Sequence, residues 1–192
     1  MKKNGFTLVE LLAMLTVIGI IMVVAIPNIS GMLRNQRLNQ IKHDATSMIE
    51  SAKMKVSKNK LSAKLGSGEC MVFSLYYLDE NENIVKGPNG GNYDLFDSVV
   101  VVTKVDTPES KRYDYHIRLV ENTNGKRVGF ELKDSTEIDS LRVNDIKEIK
   151  DNIGLTKETD KETGKELISN FASITAVCKL NPTIKDYYSG TE

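Results

Sequence analysis

A chain of 192 residues accommodates one modest domain with an added element rather than two full domains. Lys+Arg and Asp+Glu both number 26, so the formal net charge is zero and the overall balance does not point to a polyanionic partner. Two cysteines, Cys70 and Cys178, exclude a disulfide scaffold, and with His43 and His116 as the only histidines there is little material for a zinc or nucleophilic site.

Charge and hydropathy are unevenly placed along the chain. Lys2 and Lys3 precede the one long apolar run, and the next basic residue is Arg34. From Phe6 to Ile26 only Thr7, Glu10 and Thr16 are polar. These 21 residues, at about 1.5 Å each, span about 31 Å as a helix, enough to cross a hydrocarbon core of about 30 Å. Lys2 and Lys3 then hold the short N-terminus in the cytoplasm and place everything after Ile29 outside. A secretory signal peptide has a shorter apolar stretch, about 7–15 residues, and a small-x-small cut site. Here Pro27-Asn-Ile-Ser-Gly31 follows instead. A plain signal anchor gives no reason for Gly5 or for Glu10. A carboxylate inside the bilayer costs about 2.5–3.5 kcal/mol, so Glu10 calls for a partner.

Taken together, Lys3, Gly5, Phe6, Thr7, Leu8, Val9, Glu10, Leu11 and Leu12 resemble the class III signal of type IV prepilins and type II secretion pseudopilins. Pro27 also falls where many members of that family have a proline. The resemblance is carried by residues 1–30, extends to the helix after them, and over the C-terminal two thirds is one of general architecture only. It implies that a membrane-embedded prepilin peptidase cuts between Gly5 and Phe6 and methylates the new amine of Phe6. It implies too that Glu10 pairs, in a fibre, with the Phe6 ammonium of a neighbouring subunit. A buried carboxylate and a buried ammonium each cost several kcal/mol alone, so pairing them across chains fixes the register of assembly. Removal of Lys2 and Lys3 with the leader leaves 24 basic against 26 acidic side chains, a net of −2.

Pro27, lacking an N–H, is expected to kink or loosen the helix, with Gly31 adding to the effect. Beyond it Met32, Leu33, Ile41, Ala45, Met48, Ile49, Ala52 and Val56 recur mostly at three- and four-residue steps, opposite Arg34, Lys42, Asp44, Glu50, Lys53 and Lys55. Lys58, Lys60 and Lys64 suit a helix C-terminus and Gly66 suits its cap. One helix is therefore predicted over Thr7–Leu65. The lysine run reads as a solvated helix end, since no aromatics interleave with it as in a nucleic-acid site.

After Gly66 the period changes. Met71–Leu78, Ser98–Val105, Tyr113–Val120 and Arg127–Leu132 are rich in β-branched and aromatic residues and are predicted as strands. Tyr113, Tyr115, Ile117 and Leu119 alternate with Asp114, His116, Arg118 and Val120, the pattern of a half-buried strand. Asn122-Thr-Asn-Gly125 is a hairpin turn and Gly87–Asn92 an irregular loop. Ser135–Ile153 reads as a helix carrying Ile138, Leu141, Ile146 and Ile149 on one side. Thr156–Lys165 reads as a charged loop around Gly164, Phe171–Leu180 as a late strand, and the tail from Asn181 as loose. The expected fold class is α+β: a hydrophobic-then-amphipathic N-terminal helix packed on a mostly antiparallel sheet. The expected organisation is a leader over 1–5, a transmembrane or fibre-core helix over 6–29, an amphipathic helix over 30–66, and a globular head over 67–192.

In the head, His43 and His116 read as surface histidines. Asp79-Glu-Asn-Glu-Asn83 begins like a calcium loop, but Ile84 stands where the sharp-turn glycine belongs and Gly90 where the bidentate Glu belongs, so it reads as a polar turn. No cofactor is expected. Cys70 and Cys178 lie in the part placed outside, where disulfides persist. A bond between them would close a loop of about 100 residues, worth up to about 4.7 kcal/mol in the chain-entropy model. Two buried thiols are the alternative.

The function expected is that of a structural subunit, not an enzyme: a pilin, minor pilin or pseudopilin serving adhesion, motility, DNA uptake or secretion. Its implied partners are copies of itself, other pilins, the prepilin peptidase, an assembly platform protein and the lipid bilayer. Its implied location is the cell membrane, as a single-pass protein with an extracytoplasmic head, and then a cell-surface pilus or pseudopilus. The alternative is a membrane-anchored or fibre-tip binding module whose head grips a surface ligand or DNA, with Tyr76, Tyr77, Tyr113, Tyr115, Tyr187 and Tyr188 available for contact.

Overall fold

The computed structural model describes residues 7–58, 65–79, 84, 86–107, 111–153, 156–159, 166–169 and 179–180, with side chains omitted at 24–28, at 111 and beyond 153. The chain divides into two compact units, Met1–Arg37 and Leu38–Glu192. The first helix, α1, runs over Leu8–Lys58 for 51 residues and so contributes to both. It is unbroken through Pro27 and Gly31: one missing N–H removes one ladder bond, which the neighbouring turns tolerate.

In the first unit every large apolar side chain from Leu8 to Val23 is exposed, from 48 % at Ile18 to 83 % at Leu8. Ile29, Met32 and Leu33 are exposed as well. Among the described residues no helix is long and apolar enough to cross a membrane.

In the second unit the apolar stripe of α1 is buried. Ile41, Ala45, Met48, Ile49, Ala52 and Val56 belong to one hydrophobic cluster with Met71, Phe73, Val100, Val102, Ile117 and Phe130 of the sheet. The steps between them are those of one helix face, which is why these residues and not Lys42 or Glu50 turn inward. Polar links join α1 to the rest of the head around that core. The Tyr93 hydroxyl donates to Asp44 Oδ2 at 2.8 Å, and Lys53 and Lys55 lie over the rings of Tyr115 and Tyr77 at 5.6 and 4.6 Å. α1 is described as far as Lys58, and Leu65 is buried outside it; residues 59–64, with Lys60 and Lys64, lie outside the described residues. Gly66 donates to the Glu69 carboxylate at 2.8 Å, forming a tight turn into the sheet.

The sheet comprises β1 (Glu69–Ser74), β2 (Asn92–Tyr93), β3 (Val99–Asp106), β4 (Lys111–Thr123), β5 (Lys126–Asp134), β6 (Lys147–Glu148) and β9 (Lys179–Leu180), in the order β6-β5-β4-β3-β1-β9 with β2 also on β4. Every pairing is antiparallel except β1 with β9. The fold class is α+β. The first strand is shorter than expected: Ser74 Oγ accepts from the Tyr77 N–H, capping a one-turn helix, α2 (Leu75–Leu78), where the apolar run had suggested more strand. The hairpin between β4 and β5 turns at Asn124 and Gly125, with φ of 49° and 73°. Two successive left-handed residues match the twist of the flanking strands, which is the reason for Asn-Gly there.

Two further expectations are corrected. Ser135–Ile153 is not a helix but two 3₁₀ segments, Ser135–Ser140 and Val143–Asp145, followed by β6. Asp134 accepts from the Thr136 N–H at 2.8 Å and Asp145 from the Arg142 N–H at 2.8 Å, and such local bonds compete with a helical ladder. Ile138, Leu141 and Ile149 are buried all the same, while Ile146 is half-buried. Thr156–Thr159 (β7) pairs antiparallel with Glu166–Ser169 (β8), so the segment expected to be a charged loop begins as a hairpin strand. Gly164, the segment 171–178 and the tail from Asn181, with Tyr187 and Tyr188, lie outside the described residues.

Candidate assembly and processing segment

The N-terminal end of α1 is organised by two side chains. The Thr7 carbonyl accepts the first helical bond, from the Leu11 N–H at 3.2 Å. The Thr7 hydroxyl accepts from the Glu10 N–H at 3.3 Å, and the Glu10 carboxylate accepts from the Thr7 N–H at 3.3 Å. This reciprocal pair is a capping box, satisfying two amide donors that a helix start leaves open and placing an anion at the positive end of the helix dipole. The Thr-x-x-Glu spacing that signals it is plain in the sequence, beside the intermolecular role that the family resemblance implies for Glu10. Glu10 is exposed, at the head of a helix whose apolar side chains are exposed too. Gly5 and Phe6 lie outside the described residues.

In the head the structure separates the residues singled out by sequence. His43 is 79 % exposed, with Nδ1 3.6 Å from Asp44. His116 is not a surface residue in the same sense: it is half-buried, its Nδ1 is enclosed without a partner, and its Nε2 lies 3.8 Å from Asp134. Hydrogen bonds from Thr136, aided by the charge of His116 and Arg112, hold the Asp134 carboxyl below its ordinary range. Asp79 accepts from the Ile84 N–H at 2.7 Å; residues 80–83 of the calcium-like loop lie outside the described residues. Among the described residues no group of three or more His, Cys, Asp or Glu is placed to hold a metal.

Of the tyrosines considered for ligand contact, Tyr77, Tyr113 and Tyr115 are half-buried, and Tyr77 stacks on Phe73 at 5.8 Å. Tyr76 is 41 % exposed and stacks on Phe96 at 5.3 Å. Cations of the head are held by neighbours: Lys53 by Glu50 at 2.8 Å, Lys104 by the Leu65 carbonyl at 2.7 Å, Arg112 by Asp114 at 3.1 Å.

The head also holds a buried charge cluster that no motif in the sequence announces. Arg118 and Asp97, 5 % and 2 % exposed, pair at 2.9 Å; Arg127 also donates to Asp97, and Arg118 to Glu131 and to the Asp151 carbonyl. The Ile153 N–H donates to Asp97 at 2.8 Å, so the cluster fastens the chain after β6 onto the sheet. Burial pulls the Arg118 guanidinium below its ordinary value, against the opposing pull of Glu131, Asp151 and Asp94. Alternation on β4 had placed Arg118 on a solvated face, but Arg118, Val120 and Glu121 are buried along with Ile117 and Leu119, so both faces are covered there. Glu121, also unremarked in the sequence, accepts from the Asn89 and Gly91 N–H groups at 3.0 and 2.9 Å and so shapes the Gly87–Asn92 loop. Burial, reinforced by Asp44, raises the Tyr93 hydroxyl pKa, so Tyr93 stays a neutral donor. Cys70 is fully buried and disulfide-bonded; Cys178 lies outside the described residues.

A family model, the prokaryotic N-terminal methylation motif, matches residues 1–26. No curated protein and no solved structure matches the chain. The motif belongs to a structural rather than an enzymatic class of proteins, which assemble with other pilins after processing by a prepilin peptidase. This chain carries at its N-terminus the class III prepilin signal of type IV pilins and pseudopilins.

Proposed function

We propose that the chain is a pilin-like or pseudopilin subunit, with no catalytic role, that is cut between Gly5 and Phe6, methylated at Phe6, and polymerised through α1. The observation that carries this reading is the methylation motif over residues 1–26, most of which is the start of a helix whose large apolar side chains are all exposed from Leu8 to Val23. So large an apolar surface is stable only when covered, by lipid before assembly and by neighbouring helices after it. Residues 6–29 are the proposed span. Glu10 then has two successive partners: the Thr7 amide within its own chain, and the Phe6 ammonium of a neighbour in the fibre. An exchange of that kind keeps the carboxylate hydrogen-bonded in the membrane, where an unpaired charge is costly. Pro27 is the proposed point of helix adjustment on packing into the fibre.

For the head we propose a Cys70–Cys178 disulfide. Cys70 is bonded, Cys178 is the other cysteine of the chain, and the parallel register sets Leu180 beside Cys70 and Lys179 beside Glu69. Such a bond would fasten the C-terminal segment to the strand that follows α1.

Assembly is tested with a Glu10→Ala precursor in the native host. The reading expects it to be inserted and cut but to yield little sheared fibre. Fibre at wild-type level would remove the case for pairing with Phe6.

A further inference from the structure

No further inference is drawn: the strongest candidate, the open groove of about 460 Å³ between α1 and the side chains of Leu78, Asp79 and Ile84, has its carboxylates Asp44 and Asp79 already hydrogen-bonded within the head, and nothing in the structure shows what covers it.

Discussion

Thr7 and Glu10 cap each other at the first turn of α1, each side chain accepting from the other's backbone N–H at 3.3 Å. The box gives Glu10 a local function that can be separated from assembly by choice of substitution. Glu10→Gln keeps an acceptor for the Thr7 amide but removes the charge. Thr7→Val keeps the shape but removes the hydroxyl, costing about 1 kcal/mol of helix start. If charge pairing drives assembly, Glu10→Gln loses fibre as fully as Glu10→Ala, while Thr7→Val keeps most of it. Quantitative blotting of sheared fibre against total cell protein reads the difference. The opposite ranking would make capping, not charge, the reason for Glu10.

The head should fold without the apolar half of α1. Ile41, Ala45, Met48, Ile49, Ala52 and Val56 supply the helix side of the core, and all lie well past residue 28. Deleting residues 1–28 is therefore expected to give a soluble protein with a cooperative thermal transition by circular dichroism. Aggregation, or a non-cooperative melt, would show that the exposed segment contributes to the head after all.

Asp97 is a buried charge with several partners in that head. Its replacement by Ala leaves Arg118 buried, and breaking a buried pair typically costs about 3–5 kcal/mol. Urea denaturation of the 1–28 deletion should show that loss, and hydrogen exchange should speed up at Ile153, whose N–H Asp97 accepts. An effect under about 1 kcal/mol would mean that water reaches the site and replaces the carboxylate.

Gly129 tests the register of the central hairpin. A Cβ there would sit 1.9 Å from the Leu119 carbonyl oxygen, a backbone atom that cannot step aside cheaply. Gly129→Ala should destabilise the head by more than the about 1 kcal/mol typical of a point substitution. By contrast, Lys126→Ala, at an exposed position three residues earlier, should fall within about 0.5 kcal/mol of the parent. Equal midpoints for the two variants in urea would contradict the pairing of β4 with β5.

Cysteine connectivity is read by non-reducing peptide mapping of the same fragment. A linked peptide holding Cys70 and Cys178 is expected. Mixed disulfides between two molecules at Cys70, with Cys178 free, would overturn the intrachain pairing.

Much of this architecture is legible in the sequence where one physical signal dominates. The apolar stripe from Ile41 to Val56 has no competing period, and Asn124-Gly125 has a backbone requirement few residues meet. Prediction failed where side chains bond to nearby backbone. Ser74, Asp134 and Asp145 each redirect a segment whose apolar spacing alone suggested otherwise. It failed again where a polar residue is buried by a partner distant in sequence: nothing in the alternation around Arg118 announces Asp97, 21 residues earlier. Of the assembly segment, the whole motif is legible, since it is contiguous; the Thr7–Glu10 cap shares its residues with that motif, and so its signal is masked by the stronger one.

The central claim, that the chain is processed as a prepilin, is tested most directly by mass spectrometry of the N-terminal peptide from membrane or fibre material of the native host. The account predicts a peptide beginning at Phe6 and carrying one methyl group on its amine. Surface-exposed protein that retains Met1, or that begins beyond Ala25, would contradict it.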